Sequence, residues 1–275
     1  MKNLRSPILL LFSLACSLLA ACESAPYATV TSTRIGDNAW DLEGSDHTSM
    51  YLVEGTDKAL LIDTGTKIKG LDTVVSHITT KPVMVVITHA HGDHAGNIGY
   101  FPEIWMHPAD TVLLGKGYGG TIHFVKDGDV FDLGGTQIEV SAMPAHTPGS
   151  IVLLDRKAEN CYSGDAFGSN HVWLQLKPHS PMRTYVNSCR KMEKLMDEGI
   201  TRIYCGHYYY AKKPYDKSYI TAMRELAEAL LNGTAPEAQP YSPKVGCPNP
   251  MSVTSGPATI VFDPELLQQE KREKR

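Results

Sequence analysis

The feature that most constrains this chain is an apolar run that ends in a cluster of histidines and a carboxylate. Residues 83–87, Val-Met-Val-Val-Ile, are rich in β-branched side chains and are typical of a buried strand. The next seven positions include four side chains that can bind a cation: His89, His91, Asp93 and His94. Burying these groups is costly unless a partner replaces the lost water, and imidazole and carboxylate groups suit a metal ion. The stretch therefore predicts a metal site at the end of a buried strand, although a solvated histidine-rich loop is an alternative.

The spacing of these residues matches that of a known family. Residues 89–94, His-Ala-His-Gly-Asp-His, match the HxHxDH signature of metallo-β-lactamase-fold metallohydrolases. The family's other motifs are matched in the family's order at Asp63, His146, Asp165 and His207. The chain resembles this superfamily over about residues 27–231. The resemblance implies an α/β fold, a four-layer αββα sandwich with the metal site at the rim of its two sheets.

The resemblance also implies which side chains bind metal. It implies seven ligands for two zinc ions. The first ion would be bound by His89, His91 and His146, and the second by Asp93, His94 and His207. Asp165 would bind both ions. Every required position holds a residue that can bind zinc. Asp93 and Asp165 are also the candidate catalytic residues, and Asp63 is expected to orient a ligand without binding metal itself.

Two zinc ions imply a particular chemistry. Divalent cations roughly 3.5–4 Å apart can share a water molecule and lower its pKa toward about 7. The metal-bridging hydroxide would attack a carbonyl, so we expect a hydrolase whose partner is a small-molecule ester, thioester, lactone or lactam. In having an aspartate, Asp165, at the bridging position, the chain resembles glyoxalase II-like thioesterases and lactonases. True zinc β-lactamases usually have another residue at that position.

Other functions remain open. Persulfide dioxygenases share the fold and use a single iron ion, with ligands that correspond to His89, His146 and Asp165. A metallo-β-lactamase proper, a related nuclease or phosphodiesterase, and a non-catalytic zinc-binding lipoprotein are further alternatives. The net charge of −4 and the lack of a basic stripe in the sequence disfavour nucleic acid as a partner.

Aromatic residues beside the last two motifs are candidates for a substrate pocket. We expect four residues to line it: Phe167, His171, Trp173 and Tyr208. It is an equally good interpretation that the aromatic residues pack in the core of the sandwich. A surface position, or one behind the metal ligands, is the alternative for His171.

The first residues predict export. Lys2 and Arg5 precede an apolar run at 8–19, which is too short for a membrane-spanning helix of about 20 residues. Residues 19–22, Leu-Ala-Ala-Cys, resemble a bacterial lipobox, so residues 1–21 are predicted to be a lipoprotein signal peptide cleaved before Cys22. Lipid on Cys22 would anchor the chain in the bacterial cell envelope, at the outer membrane or the cell surface. Secretion without lipid is the alternative.

Strands and helices alternate along the rest of the chain. Predicted strands cover residues 49–53, 59–62, 83–87, 104–106, 136–142, 151–154 and 160–163, and predicted helices cover 71–78, 181–198 and 214–231. Residues 22–235 form the predicted metallo-β-lactamase-like domain. Prolines between positions 236 and 250 disfavour helix, so residues 236–275 are predicted to be an irregular extension with a charged tail. Four cysteines follow Cys22, and their pairing is left open.

Overall fold

Two β-sheets form the centre of the molecule. The computed structural model describes residues 29–66, 68–115 and 117–273, so the predicted signal peptide and Cys22 lie outside the described residues. The first sheet has seven strands in sequence order: β1 Val30–Arg34, β2 Ala39–Gly44, β3 Ser49–Glu54, β4 Ala59–Ile62, β5 Val83–Ile87, β6 Glu103–Met106 and β7 Thr121–Phe124. The second sheet has five strands: β8 Val130–Asp132, β9 Gln137–Ala142, β10 Ile151–Asp155, β11 Asn160–Gly164 and β13 Arg202–Cys205.

A smaller sheet and the helices complete the described fold. The small sheet has four strands: β12 Val172–Trp173, β14 Gln239–Pro240, β15 Met251–Ser255 and β16 Ala258–Phe262. The helices are α1 Leu71–Ser76, α2 Met182–Asp197, α3 Tyr208–Ala211, α4 Lys217–Asn232 and α5 Pro264–Glu273. None of the helices in the described ranges is long and apolar enough to cross a bilayer.

The two large sheets pack face to face, and each is covered on its outer face. Side chains alternate across a strand, so each central strand contributes to two cores. In β3, Tyr51 and Val53 lie in the core between the sheets, whereas Met50 and Leu52 pack in the outer core that contains α1. The outer face of β10 packs in the core that contains α2 and α4. The predicted αββα sandwich is confirmed.

The C-terminal residues differ from the sequence prediction. The prediction of an irregular extension over residues 236–275 is wrong, because β15 and β16 form a hairpin and α5 follows it. Proline restricts the backbone at its own position and at the residues close to it, and residues 251–255 and 258–262 contain none. Val253 and Ile260 are buried in the same core as α2 and α4, and β16 pairs in parallel with β12. Most of the predicted charged tail belongs to α5.

The ends of the central strands meet at one rim of the sandwich. The amide of Ile151 in β10 donates to the carbonyl of Thr88 at 2.9 Å, which joins the second sheet to the end of β5. The amide of Ser49 in β3 donates to the carbonyl of Gly206 at 2.7 Å, which joins the first sheet to the end of β13. The residues that follow β4, β5, β11 and β13 are therefore held close together.

The four described cysteines do not pair with one another. Cys161, Cys189, Cys205 and Cys247 are free and buried in the part of the chain that the structure describes. Burial raises the pKa of each thiol, so all four stay protonated at neutral pH. They act as small apolar side chains.

One buried carboxyl was not anticipated from the sequence. Asp41 in β2 is 5% exposed and lies opposite Tyr51 of β3. Burial raises the pKa of its carboxyl to about 7, against the smaller opposing effect of a hydrogen bond with Ser49. In the unfolded chain an Asp carboxyl has a pKa of about 3.9. Between about pH 4 and 7 the folded chain therefore holds a proton that the unfolded chain has lost, and the free energy of unfolding falls as the pH rises through that window.

We expect Asp41→Asn to stabilise the protein at alkaline pH. The amide removes the cost of ionising the buried group, so the free energy of unfolding at pH 8 should rise by up to about 4 kcal/mol. The gain should shrink as the pH falls toward 4. Urea unfolding of the metal-free protein at pH 5 and pH 8 measures it, with the exposed Asp37→Asn as control. An equal change at both pH values would contradict the prediction.

Candidate metal centre

The structure brings the seven predicted ligands together at the rim. Within each of three overlapping groups the ligand atoms lie within 4.8 Å of one another: His89, His91 and His146; Asp93, His94 and His207; and His89, His94 and Asp165. The first two groups are those that the resemblance implies for two metal ions. The third group connects them, because it takes one member from each and adds Asp165.

The turn after β5 delivers the central ligands. The carbonyl of His91 accepts hydrogen bonds from the amides of His94 and Ala95, at 3.0 and 2.8 Å, which closes the chain into a tight turn. Gly96 allows this turn to pack against the end of β4, because a Cβ there would lie 2.4 Å from the carbonyl oxygen of Gly92 and 2.7 Å from that of Gly65. The sequence therefore fixes three imidazoles within one short loop.

Asp165 lies between the two ligand groups. Its Oδ1 is 3.6 Å from Nε2 of His94, and its Oδ2 is 4.0 Å from Nε2 of His146 and 3.5 Å from Nε2 of His207. Gly206 keeps this space open, because a Cβ there would lie 2.5 Å from Oδ1 of Asp165. Each carboxylate oxygen therefore faces imidazoles that could share a cation with it.

Hydrogen bonds behind the ligands set the orientation of three imidazoles. Nδ1 of His94 donates to Oδ2 of Asp63 at 2.8 Å, and Asp63 also accepts hydrogen bonds from the amide and hydroxyl of Thr88. Nδ1 of His146 donates to the carbonyl of Trp173 at 2.7 Å, and Nδ1 of His207 lies 3.3 Å from a backbone carbonyl. Each ring therefore keeps Nε2 for the centre. Asp63 belongs to none of the three ligand groups.

The site has polar atoms that need a partner. Nε2 of His89, Nε2 of His94 and Oδ1 of Asp165 are buried without a hydrogen-bond partner among the described residues. Buried polar atoms are rarely left without a partner, because desolvation then goes uncompensated. Nitrogen and carboxylate oxygen together form a ligand set for zinc or iron. The residues present therefore fit a divalent metal.

The protonation states differ between the two ligand groups. Burial lowers the pKa of His89, and it lowers that of His146 to about 4, so these imidazoles are neutral and ready to bind metal. Burial also acts to lower the pKa of His207, but Asp165 and Asp93 together outweigh it and raise that pKa to about 10. Asp165 and Asp63 likewise raise the pKa of His94 against the effect of burial. A cation at the second group must displace these protons, so its affinity is expected to rise with pH.

Asp110 is a part of the site that carries no signal in the sequence. It is 1% exposed, and its Oδ2 accepts hydrogen bonds from the hydroxyl of Thr147 at 2.7 Å and from the amide of Ala90 at 3.2 Å. Its Oδ1 accepts from the amide of Gly149 at 2.7 Å. Asp110 thus connects the loop of His89 and His91 to the loop of His146, although it stands in neither motif.

A cavity of about 450 Å³ opens at the centre. His171 and Trp173 line it as predicted, together with Tyr210, Tyr241 and Leu176. A larger cavity of about 820 Å³ lies at the opposite ends of the strands and includes none of the predicted ligands. The smaller cavity is therefore the candidate substrate pocket.

Two of the predicted pocket residues do not line the cavity. Phe167 is fully buried in the core that contains α2 and α4, where its ring lies 6.5 Å from that of Tyr185. Tyr208 packs against the core between the sheets, with its ring 5.4 Å from that of Tyr204. Tyr241 does line the cavity, but it belongs to the segment that was predicted to be an irregular extension.

Comparisons with known proteins agree with this geometry. A family model described as the metallo-beta-lactamase superfamily matches residues 44–207. An acyl-coenzyme A thioesterase, MBLAC2 of Gallus gallus, is 29% identical in an alignment that covers 60% of this chain and 74% of that protein. A hydroxyacylglutathione hydrolase of Francisella philomiragia is 25% identical in an alignment that covers 69% of this chain and 77% of that protein.

Solved structures share the fold. A metallo-beta-lactamase from Pontibacter korlensis has a TM-score of 0.58 at 19% identity, over 73% of this chain and 99% of that one. ETHE1 from Myxococcus xanthus has a TM-score of 0.54 at 21% identity, over 68% of this chain and 83% of that one. Both proteins are similar to this chain in fold alone.

Proposed function

Because this chain belongs to the metallo-beta-lactamase superfamily, whose model matches more than half of it, we propose that it is a zinc-dependent hydrolase of small thioesters and esters. The superfamily and the named relatives are hydrolases, and this chain is a hydrolase as well. The observation that carries the proposal is the pair of ligand groups joined by Asp165. Two relatives are named for thioester substrates, which supports thioesters as the first choice over lactones and lactams.

The ligand roles are part of the proposal. The first zinc ion would be held by His89, His91 and His146, the second by Asp93, His94 and His207, and Asp165 would contact both. Zinc bound in this way supplies Lewis acidity, which makes water a nucleophile near neutral pH and polarises a carbonyl group.

The other contributions come from the chain itself. Asp63 and the carbonyl of Trp173 hold the rings of His94 and His146, so their Nε2 atoms are positioned before substrate binds. Asp93 lines the cavity and is more exposed than Asp165, with 40% of its side chain accessible against 15%. Its carboxylate is therefore within reach of water in the cavity and would orient the attacking molecule by accepting a hydrogen bond from it.

A substrate panel tests the proposal. The zinc-loaded chain should hydrolyse small thioesters and esters, lose this activity on chelation and regain it with zinc. His91→Ala should abolish hydrolysis and reduce the bound zinc, whereas the exposed His77→Ala should change neither. One equivalent of iron with persulfide-dependent oxygen uptake would instead indicate a dioxygenase. Hydrolysis of β-lactams alone would indicate a lactamase proper.

We also propose that the mature chain is a lipid-anchored protein of the bacterial cell envelope. The support is in the sequence alone: the apolar run at 8–19 and the lipobox that ends at Cys22. Expressed in a bacterial host, wild-type chain should stay in the membrane fraction, and Cys22→Ala should lose that retention. Cys16→Ala, a change within the predicted signal peptide, is the matched control, and this variant should stay in the membrane fraction. Release of wild type into the medium would refute the anchor.

A further inference from the structure

One side of the cavity is formed by three rings in mutual contact. The ring centroids of His171 and Trp173 are 5.9 Å apart, those of Trp173 and Tyr241 are 5.9 Å apart, and those of His171 and Tyr241 are 6.4 Å apart. These separations are typical of favourable aromatic pairs. We call His171, Trp173 and Tyr241 the aromatic wall.

The aromatic wall adjoins the metal centre. The carbonyl of Trp173 accepts the hydrogen bond from Nδ1 of His146, so the residue that carries one ring also orients a proposed zinc ligand. His146 and Trp173 line the same cavity. A group that contacts the wall therefore lies next to the bond that the centre cleaves.

The C-terminal segment contributes Tyr241 to this wall and pairs with the strand that carries Trp173. Trp173 in β12 lies opposite Val261 of β16, and the amide of Tyr241 donates to the carbonyl of Pro250 at 2.8 Å. Tyr241 lies outside residues 44–207, which match the superfamily model. The contribution of Tyr241 to the wall therefore comes from outside the segment that matches the superfamily model, whereas His171 and Trp173 lie within it.

Away from the metal centre, the described residues that line the cavity provide little stabilisation for an anionic group. No lysine or arginine occurs among the described residues that line it. Burial lowers the pKa of His171, so that ring is neutral at physiological pH. A carboxylate placed against the aromatic wall would lose water and gain no cationic partner, which is costly. A flat or branched apolar group would bury its surface there at no such cost.

We propose that the aromatic wall binds an uncharged aromatic or branched group carried by the scissile carbonyl, so that the hydrolase selects uncharged acyl thioesters. This inference rests on the function proposed above. Tyr241 and Trp173 then determine specificity through binding, without taking part in the bond cleavage.

Three thioesters of one small neutral thiol test this selectivity. Their acyl groups are 4-methylbenzoyl, 4-carboxybenzoyl and acetyl, so the first two have similar shape and differ in charge. For the zinc-loaded wild type, kcat/KM for 4-methylbenzoyl should exceed that for 4-carboxybenzoyl by at least about tenfold, which corresponds to about 1.4 kcal/mol. Equal rates, or a preference for the carboxylate, would overturn the inference.

Variants of Tyr241 separate a binding role from a structural one. Tyr241→Ala should raise KM for 4-methylbenzoyl several-fold, with a smaller effect on kcat and on the acetyl thioester. Tyr241→Phe keeps the ring and should keep the selectivity, and the exposed Tyr100→Ala serves as the control. Bound zinc and melting temperature show that each variant is folded. An equal loss on all three thioesters would overturn the binding role.

The two proposals fail in different ways. If the zinc-loaded wild type hydrolyses none of the thioesters, the proposed function is wrong and the inference falls with it. If it hydrolyses all three without discrimination, the proposed function stands and the aromatic wall has no part in specificity.

Discussion

Replacing Asp165 by alanine is expected to abolish hydrolysis, with a fall in kcat/KM of at least about 1,000-fold, or about 4 kcal/mol of activation free energy. The reason is its position: its two oxygens lie 3.5 to 4.0 Å from imidazoles of both ligand groups. Without this carboxylate the two groups no longer share a ligand, so the zinc bound per chain should fall from two to one or less. Kinetics with a thioester and metal analysis of the purified variant measure both effects.

Two further variants make this result specific. Asp165→Asn keeps the shape of the side chain and removes its charge, so it should also lose zinc. Asp72→Ala removes an exposed aspartate from α1 and should leave both activity and zinc content unchanged. Asp165→Ala with full activity and two zinc ions would contradict the bridging role.

The second large effect is expected at Asp110. Asp110→Ala leaves the buried amides of Ala90 and Gly149 without their acceptor, and the hydroxyl of Thr147 keeps only its hydrogen bond with Ser150. Hydrogen bonds to charged groups contribute about 1.5–3 kcal/mol each, so the free energy of unfolding should fall by about 3 kcal/mol or more. Zinc affinity should fall as well, because the loops that carry His89, His91 and His146 lose their connection.

Thr147→Val is the matched comparison for Asp110→Ala. It removes one of the three donors and leaves the carboxylate with two amide partners, so its losses should be smaller. Urea unfolding of the metal-free protein gives the stability change, and competition with a chromophoric chelator gives the zinc affinity. Unchanged zinc affinity in folded Asp110→Ala would show that the connection between the loops is unnecessary.

The sequence predicted which side chains lie together at the rim, because the information it carries there is chemical and local. Residues 89–94 combine an unusual composition with a preceding apolar strand, and this pattern has few other interpretations. The central strands β4 and β5 were predicted with their observed ends, since apolar runs bounded by polar residues leave little choice. The fold class followed from the order of the motifs, and the packing of alternate side chains into separate cores confirms it.

The remaining features depend on tertiary contacts that no local pattern encodes. Asp110 is one aspartate in a short 3-10 helix, Pro108–Leu113, and its role appears only when the fold brings the amide of Gly149 to it. Tyr241 becomes a cavity residue only because the C-terminal strands return to pair with β12. Phe167 and Trp173 are both aromatic residues near the fourth motif, and only packing decides that one is core and the other lines the pocket.

The most direct measurement is anomalous X-ray scattering at the zinc edge from crystals of the zinc-loaded chain. We expect two peaks about 3.5–4 Å apart. One should be coordinated by His89, His91 and His146, the other by Asp93, His94 and His207, and Asp165 should coordinate both. A single ion bound by His89, His146 and Asp165, with anomalous signal at the iron edge, would contradict this expectation.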